Sequence, residues 1–158
     1  MPDLVAAGDS ALRSGADEHE LVTVVSRAAH RRGVRRARAA LPLLDARSRS
    51  RPESHLRYAI VGAGLPRPAV NAAIFSAHGQ WLAEPDLSYE DVRLALEYNG
   101  ADHAEQRRMR RDITRELDMR HRGGWETLVF GPTEVFARPD EIPLLVREVR
   151  RERAAFLG

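Results

Sequence analysis

Residues 92–99 alternate apolar and other side chains, which is the pattern of a half-buried β-strand. A strand sends alternate side chains to opposite faces, so Glu97 and Asn99 leave the apolar face together. If the chain reverses around residues 89–92, Asp86 falls opposite Glu97 on an antiparallel neighbour. The pattern therefore predicts a hairpin with one carboxylate on each strand.

Cross-strand partners lie roughly 5 Å apart at Cβ, close enough for two carboxylates to share one divalent cation. Without a cation, the two ionised groups would repel and the pKa of one would rise. Acidic residues beside a hairpin turn are also often simply solvated, and the spacing alone leaves both interpretations open. The first interpretation predicts an oxygen-lined metal site at Asp86 and Glu97.

Composition excludes several classes of function. The chain has 158 residues, enough for one domain with a core, and no apolar run approaches the length of a membrane span. Cysteine is absent, which excludes disulfides and thiolate zinc sites and favours a cytoplasmic protein. All 25 basic residues are arginine, so no lysine can form a Schiff base or assist phosphodiester cleavage.

The first 46 or so residues have helical patterns. Asp17 and Glu20 form a capping box, Gly33 is expected to stop that helix, and Pro42 is expected to split the next one. Arginines crowd residues 31–38, where a solvated helix face is favoured over phosphate contact. We therefore expect a helical N-terminal extension over residues 1–49.

The rest of the chain, residues 50–158, predicts an α/β (α+β) domain. Ser50 and Glu53 form a second capping box, opening a helix that buries Leu56 and Ile60. Strands are expected near residues 70–75, over 80–87 with Pro85 at an edge or bulge, and over 92–99. A long helix after Asp102, a strand over 125–130 and a closing helix over 139–157 follow. The closing helix is expected to face the core with Ile142, Leu145, Val146, Val149 and Phe156. Trp81 and Trp125 are expected in the core.

That order of elements carries a set of motifs: Glu53, Leu56 and Arg57; Gly64 to Pro68; Asp86 and Leu87; Glu97 to Gly100; His103; Asp112 and Arg115; Gly124 and Trp125. In this order they resemble the PD-(D/E)XK nuclease superfamily. The resemblance is nearest to the very-short-patch-repair-endonuclease-like domain of uncharacterised actinobacterial proteins. It covers roughly residues 50–157 and implies a restriction-endonuclease-like core: helix, three strands, helix, strand, helix, with a mixed sheet flanked by helices.

The resemblance implies that Asp86 and Glu97 ligate Mg²⁺ or Mn²⁺. The position that usually holds the superfamily's lysine is Asn99, which can offer a carbonyl oxygen to a metal but cannot act as a base. Glu53 fits a role beside the metal and a capping role with Ser50 equally well. His103, at the start of the long helix, is either a proton acceptor near neutral pH or an ordinary surface residue.

Arginines cover much of the long helix, and guanidinium groups match phosphate oxygens. One side of that helix is expected to contact DNA through Arg107, Arg108, Arg111 and Arg115. Acidic neighbours also allow a salt-bridged, solvated face there.

These residues together predict a Mg²⁺- or Mn²⁺-dependent DNA endonuclease domain, with Glu53, Asp86, Glu97 and His103 as catalytic residues. The alternative is a nuclease-fold domain whose chemistry has lapsed and which binds DNA or regulates, as Asn99 and the missing lysine suggest. DNA is the expected partner and no membrane contact is expected. A homodimer through the N-terminal helices is left open.

Overall fold

The computed structural model describes residues 1–100, 119–121 and 123–158. Three helices open the chain: α1 (Pro2–Arg13), α2 (Glu18–Arg27) and α3 (Val34–Ala40), followed by a 3₁₀ turn at Leu41–Leu43. The Asp17 side chain accepts the Glu20 N–H at 3.0 Å, so the predicted cap of α2 is confirmed. The expectation for Gly33 is wrong: α2 ends earlier, and Gly33, at φ 87°, caps the start of α3.

Helix α4 (Arg51–Gly62) begins where the sequence predicts. Ser50 caps it by accepting the Glu53 N–H at 3.4 Å, and Leu56 and Ile60 are fully buried. Helix α1 packs against α4, so the N-terminal helices share an interface with the rest of the chain.

A buried cluster of polar side chains joins α1 to α4. Asp9 in α1 accepts the Asp45 N–H at 2.7 Å, the Ser54 hydroxyl at 2.6 Å and the Arg57 guanidinium. Arg57 also donates to the carbonyl of Leu43, and both Asp9 and Arg57 are 1 % exposed. We call Asp9, Ser54 and Arg57, with the Asp45 main chain, the buried cluster.

The main sheet has four strands: β1 (Ala69–Val70), β4 (Leu87–Tyr89), β5 (Leu94–Tyr98) and β6 (Glu126–Phe130). Its order is β1-β4-β5-β6, antiparallel for the first two pairs and parallel between β5 and β6. Two further strands, β2 (Ile74–Phe75) and β3 (Trp81–Ala83), form a separate antiparallel pair.

The predicted strand at residues 80–87 is therefore wrong as a single element. Its first part is β3 in the small sheet and its last residue begins β4 in the main sheet, with Pro85 between them. Proline lacks the N–H that a continuous ladder needs, so the chain changes sheets at that point. Five short strands stand where three were expected before residue 100.

Two apolar clusters flank the main sheet. One face packs on α4 and on the closing helix α5 (Ile142–Leu157), around Leu87, Leu94 and Leu96. The other face packs Ala95 against Ile74, Leu82, Met119 and Trp125. The fold is thus mixed α/β, with a small mixed sheet flanked by helices.

Some expected core residues are exposed. Trp125 is 7 % exposed, as predicted for a core residue, but Trp81 is 58 % exposed because β3 lies in the outer two-stranded sheet. Leu145 and Phe156 of α5 are also exposed, at 42 % and 78 %, since the inward stripe is Ile142, Val146 and Val149. Among the described residues, no helix is both long and apolar enough to cross a bilayer.

Candidate functional site

The reversal between β4 and β5 confirms the predicted hairpin. Leu87 pairs with Leu96 and Tyr89 with Leu94, and residues 90–93 make the turn. Continuing this register by one residue places Asp86 opposite Glu97, and directly paired residues share one face of a sheet. Because the positions alternate, that face is the one carrying Ala95, opposite the face packed on α4 and α5.

Both acidic residues lie where the strands leave the packed part of the sheet. Residues 94–96 of β5 are buried, whereas Glu97 and Tyr98 are half-buried and Asn99 is exposed. Asn99 donates its N–H to the carbonyl of Phe130 at 2.9 Å. This bond extends the parallel pairing with β6 one residue beyond the end of β5. Asp86 and Glu97 therefore lie at the boundary between core and solvent.

A chain of hydrogen bonds ties Glu53 to this end of the sheet. The carboxylate oxygen Oε2 of Glu53 accepts the Arg49 N–H at 2.8 Å and the Asn71 side-chain amide at 2.9 Å. Asn71 also donates its main-chain N–H to the Asp86 carbonyl at 3.0 Å. The Asp86 side chain in turn accepts the Tyr98 N–H at 2.8 Å through Oδ2. We call Glu53, Asn71, Asp86, Glu97 and Asn99 the carboxylate edge.

Asn71 is the member of the carboxylate edge that the sequence analysis missed. It follows β1 directly, and its φ of 45° lies in the left-handed region, which asparagine tolerates better than most residues. Its side-chain amide also donates to the Arg47 carbonyl at 2.8 Å. In the sequence, Asn71 shows only as a single asparagine after a short apolar run. Its partners, Arg47, Glu53 and Asp86, are distant in sequence, so local patterns do not reveal them.

The two roles considered for Glu53 are partly resolved by these contacts. Its main-chain N–H donates to the capping hydroxyl of Ser50. Its buried carboxylate accepts hydrogen bonds from the Arg49 N–H and the Asn71 side-chain amide. Within residues 1–100, 119–121 and 123–158, no three acidic or histidine residues lie close enough to hold one metal ion together. Glu53 thus supports the edge through Asn71, and its predicted role beside a metal stays a prediction.

An aromatic cluster lies beside Tyr98. The ring of Phe136 makes edge-to-face contacts with His55, at 5.1 Å between centroids, and with Tyr98, at 6.3 Å. His55 is buried, and its Nε2 is 3.0 Å from Oδ1 of Asp3. The hydrogen bond from Arg51 holds the pKa of the exposed Asp3 carboxyl below its ordinary value, with a further contribution from His55. These contacts fix the first turn of α4 next to the carboxylate edge.

The remaining predicted site residues, His103, Arg107, Arg108, Arg111 and Arg115, lie outside the described residues. Asp112 and most of the predicted long helix lie there too. The described part of the site consists of the carboxylate edge and the contacts that support it.

The chain is similar in sequence to proteins whose names give no activity. Uncharacterised proteins from two strains of Mycobacterium tuberculosis are 33% identical to this chain over 153 residues. The match covers 96% of this chain and 51% of each relative, so the chain spans about half the length of the curated relatives it matches. No family model matches the sequence, and no solved structure matches it.

Proposed function

We propose that the chain is a divalent-metal-dependent DNA endonuclease domain that hydrolyses phosphodiester bonds, built on a restriction-endonuclease-like core. One observation carries the proposal: the β4–β5 register brings Asp86 opposite Glu97 at the open end of the sheet. An antiparallel β1-β4-β5 arrangement with β6 added in parallel, covered by α4 and α5, is compatible with that core. Nothing in the relatives' names bears on the reaction.

The donor set suits Mg²⁺ or Mn²⁺. These ions prefer oxygen ligands, and Mg²⁺ commonly uses one or two carboxylates while keeping several waters. Asp86 and Glu97 would supply the carboxylates, and Asn99 could add an amide oxygen. When bound, such an ion polarises the scissile phosphate and lowers the pKa of a coordinated water.

The chain's own residues have separable tasks in this proposal. Glu97, or His103 through a water, accepts the proton from the attacking water, since the chain has no lysine for that role. Asp86 accepts the Tyr98 N–H through Oδ2, which fixes the orientation of its carboxylate. Asn71 positions Asp86 and Glu53 relative to each other.

The alternative proposal is a lapsed nuclease fold that binds DNA or regulates. It is favoured by Asn99, which cannot act as a base, and by the Glu53 carboxylate already being held by two donors. The two proposals differ in one property: a lapsed site needs no specific divalent ion.

The test combines metal binding with cleavage. Calorimetric titration with Mn²⁺ and Mg²⁺ should show one specific site, and plasmid DNA should be nicked only when either ion is present. Asp86→Asn and Glu97→Gln should each abolish both signals. Glu90→Gln is the matched control, since Glu90 is an exposed acid in the turn at the other end of the same two strands.

The outcomes separate the two proposals. Nicking that survives both Asp86→Asn and Glu97→Gln rejects this site. Absence of specific ion binding together with retained DNA binding establishes the lapsed alternative instead.

A further inference from the structure

The charge of this chain is unevenly distributed. Residues 21–44 contain six arginines and neither aspartate nor glutamate. The other 134 residues hold 19 arginines against 23 acidic residues, a net charge of −4, although the whole chain has a net charge of +2. A basic segment on an otherwise acidic chain is an electrostatic footprint that the total charge conceals.

The fold gathers this charge onto one surface. Helices α2 and α3 pack on each other, and the turn between them contains His30 and Gly33 at positive φ. Five arginines around that turn line a single shallow depression: Arg31, Arg32, Arg35, Arg36 and Arg38. All five are exposed, and we call them the arginine surface.

In the part of the chain that the structure describes, the arginine surface has no acidic partners of the kind that other arginines have. Arg47, Arg51 and Arg150 each form an ion pair with a carboxylate, at 2.6 to 2.9 Å. Within the described residues, no carboxylate lies in ion-pair range of any arginine in the arginine surface. Among the described residues, the one side-chain hydrogen bond made by these five arginines is from Arg38 to the carbonyl of Ser26, at 3.3 Å. Like charges held together without counter-charges repel, and a polyanion would relieve that repulsion.

We propose that the arginine surface binds the phosphate backbone of duplex DNA. Guanidinium groups match phosphate oxygens, and several on one surface can contact successive phosphates. A membrane surface fits less well, because residues 21–44 contain leucine but no Trp, Tyr or Phe, and aromatic side chains are the ones enriched at membrane–water interfaces. The surface lies on α3 and on the turn that precedes it, outside the carboxylate edge, and its binding does not require that the proposed hydrolysis occurs.

The experiment measures binding of the full chain to a short fluorescein-labelled DNA duplex by anisotropy. EDTA is present throughout, so that metal-dependent cleavage cannot contribute. The surface variant is R31Q/R32Q/R35Q, which leaves the Arg38 contact between α2 and α3 intact. The control variant, R138Q/R147Q/R151Q, removes the same number of charges from exposed arginines elsewhere.

The surface variant should bind at least tenfold more weakly than the unmodified chain. Its log–log salt dependence should become shallower by up to about 0.9 per arginine removed, as expected when each releases one phosphate contact. The control variant should change affinity less than threefold. R31K/R32K/R35K should restore most of the salt dependence, since lysine also neutralises phosphate.

The proposal fails if the surface and control variants lose the same affinity, because net charge alone would then account for binding. It also fails if the unmodified chain binds anionic vesicles but not the duplex. Circular dichroism of every variant checks that α2 and α3 remain folded. Loss of nicking in Asp86→Asn with unchanged binding in EDTA would test the carboxylate edge without affecting this inference.

Discussion

The buried cluster and the carboxylate edge both include residues of α4, but they differ in how far their acidic side chains are buried. In the buried cluster, Asp9 is 1 % exposed and its two oxygens accept three hydrogen bonds from groups inside the protein. At the carboxylate edge, Asp86 and Glu97 are half-buried, at the end of the β4–β5 hairpin away from its turn. Removing one partner of a fully buried ion pair leaves an uncompensated buried charge, whereas a half-buried carboxylate keeps contact with solvent.

Glu53 lies between these two extremes. It is buried like Asp9, but its side chain is held by Arg49 and by Asn71, which also reaches the backbone of Asp86. Helix α4 thus links the two regions: Ser54 and Arg57 face the buried cluster and Glu53 supports the edge. The comparison teaches that residue type alone does not separate a structural acid from a candidate ligand.

The largest effect is expected in the buried cluster. Asp9→Ala should lower the free energy of unfolding by about 3 to 5 kcal/mol, because it leaves the Arg57 charge buried without its partner. Urea unfolding followed by circular dichroism measures this loss. Glu90→Ala, in an exposed turn, should change stability by no more than about 0.5 kcal/mol. Equal effects of the two substitutions would contradict the distinction between a sealed and an exposed acid.

An intermediate effect is expected at Asn71, which joins Glu53 to Asp86 within the carboxylate edge. Asn71→Ala should cost about 1 to 3 kcal/mol, because Glu53 loses a donor and alanine is strained at this positive φ. Asn71→Gly removes the same side chain but accepts the backbone conformation, so it should cost less. The difference between the two variants in the free energy of unfolding, measured in urea, gives the cost of backbone strain at position 71. If both variants are as stable as the parent, Asn71 does not hold the edge together.

The smallest effect concerns Asp45, at the rim of the buried cluster. Burial by itself raises the pKa of its carboxyl, but hydrogen bonds from Arg47 outweigh burial and hold the pKa below its ordinary value of 3.8. A lowered folded pKa means that the stabilisation is present above the unfolded pKa and is lost as pH falls through the folded pKa.

Asp45→Asn should therefore lower stability at neutral pH by about 1 kcal/mol or less, since Arg47 is exposed. The difference from the parent should shrink as pH is lowered below about 4 and vanish in stronger acid. Thermal unfolding at a series of pH values measures this trend. A difference that grows toward acid would show that the charge of Asp45 does not stabilise the fold.

Local features of this chain were predictable because their causes lie within a few residues. The caps at Asp17 and Ser50 occur where the sequence places them, since each is a hydrogen bond spanning three residues. The β4–β5 hairpin was predictable from alternation and turn position, and its register follows from them. The splitting of residues 80–87 was not, because alternation does not reveal which sheet a short strand joins.

The sequence by itself determined where α2 and α4 begin, the hairpin and the placement of Asp86 opposite Glu97, because hydrogen-bond spacing and side-chain periodicity act locally. Only the tertiary structure decided that Asn71 joins Glu53 to Asp86, that Asp9 is sealed against Arg57, and that Trp81 faces solvent. Each of these three features depends on which segments, distant in sequence, come into contact. Those contacts are determined by how the whole core packs. Periodicity assigns a residue to a face, but burial depends on what covers that face.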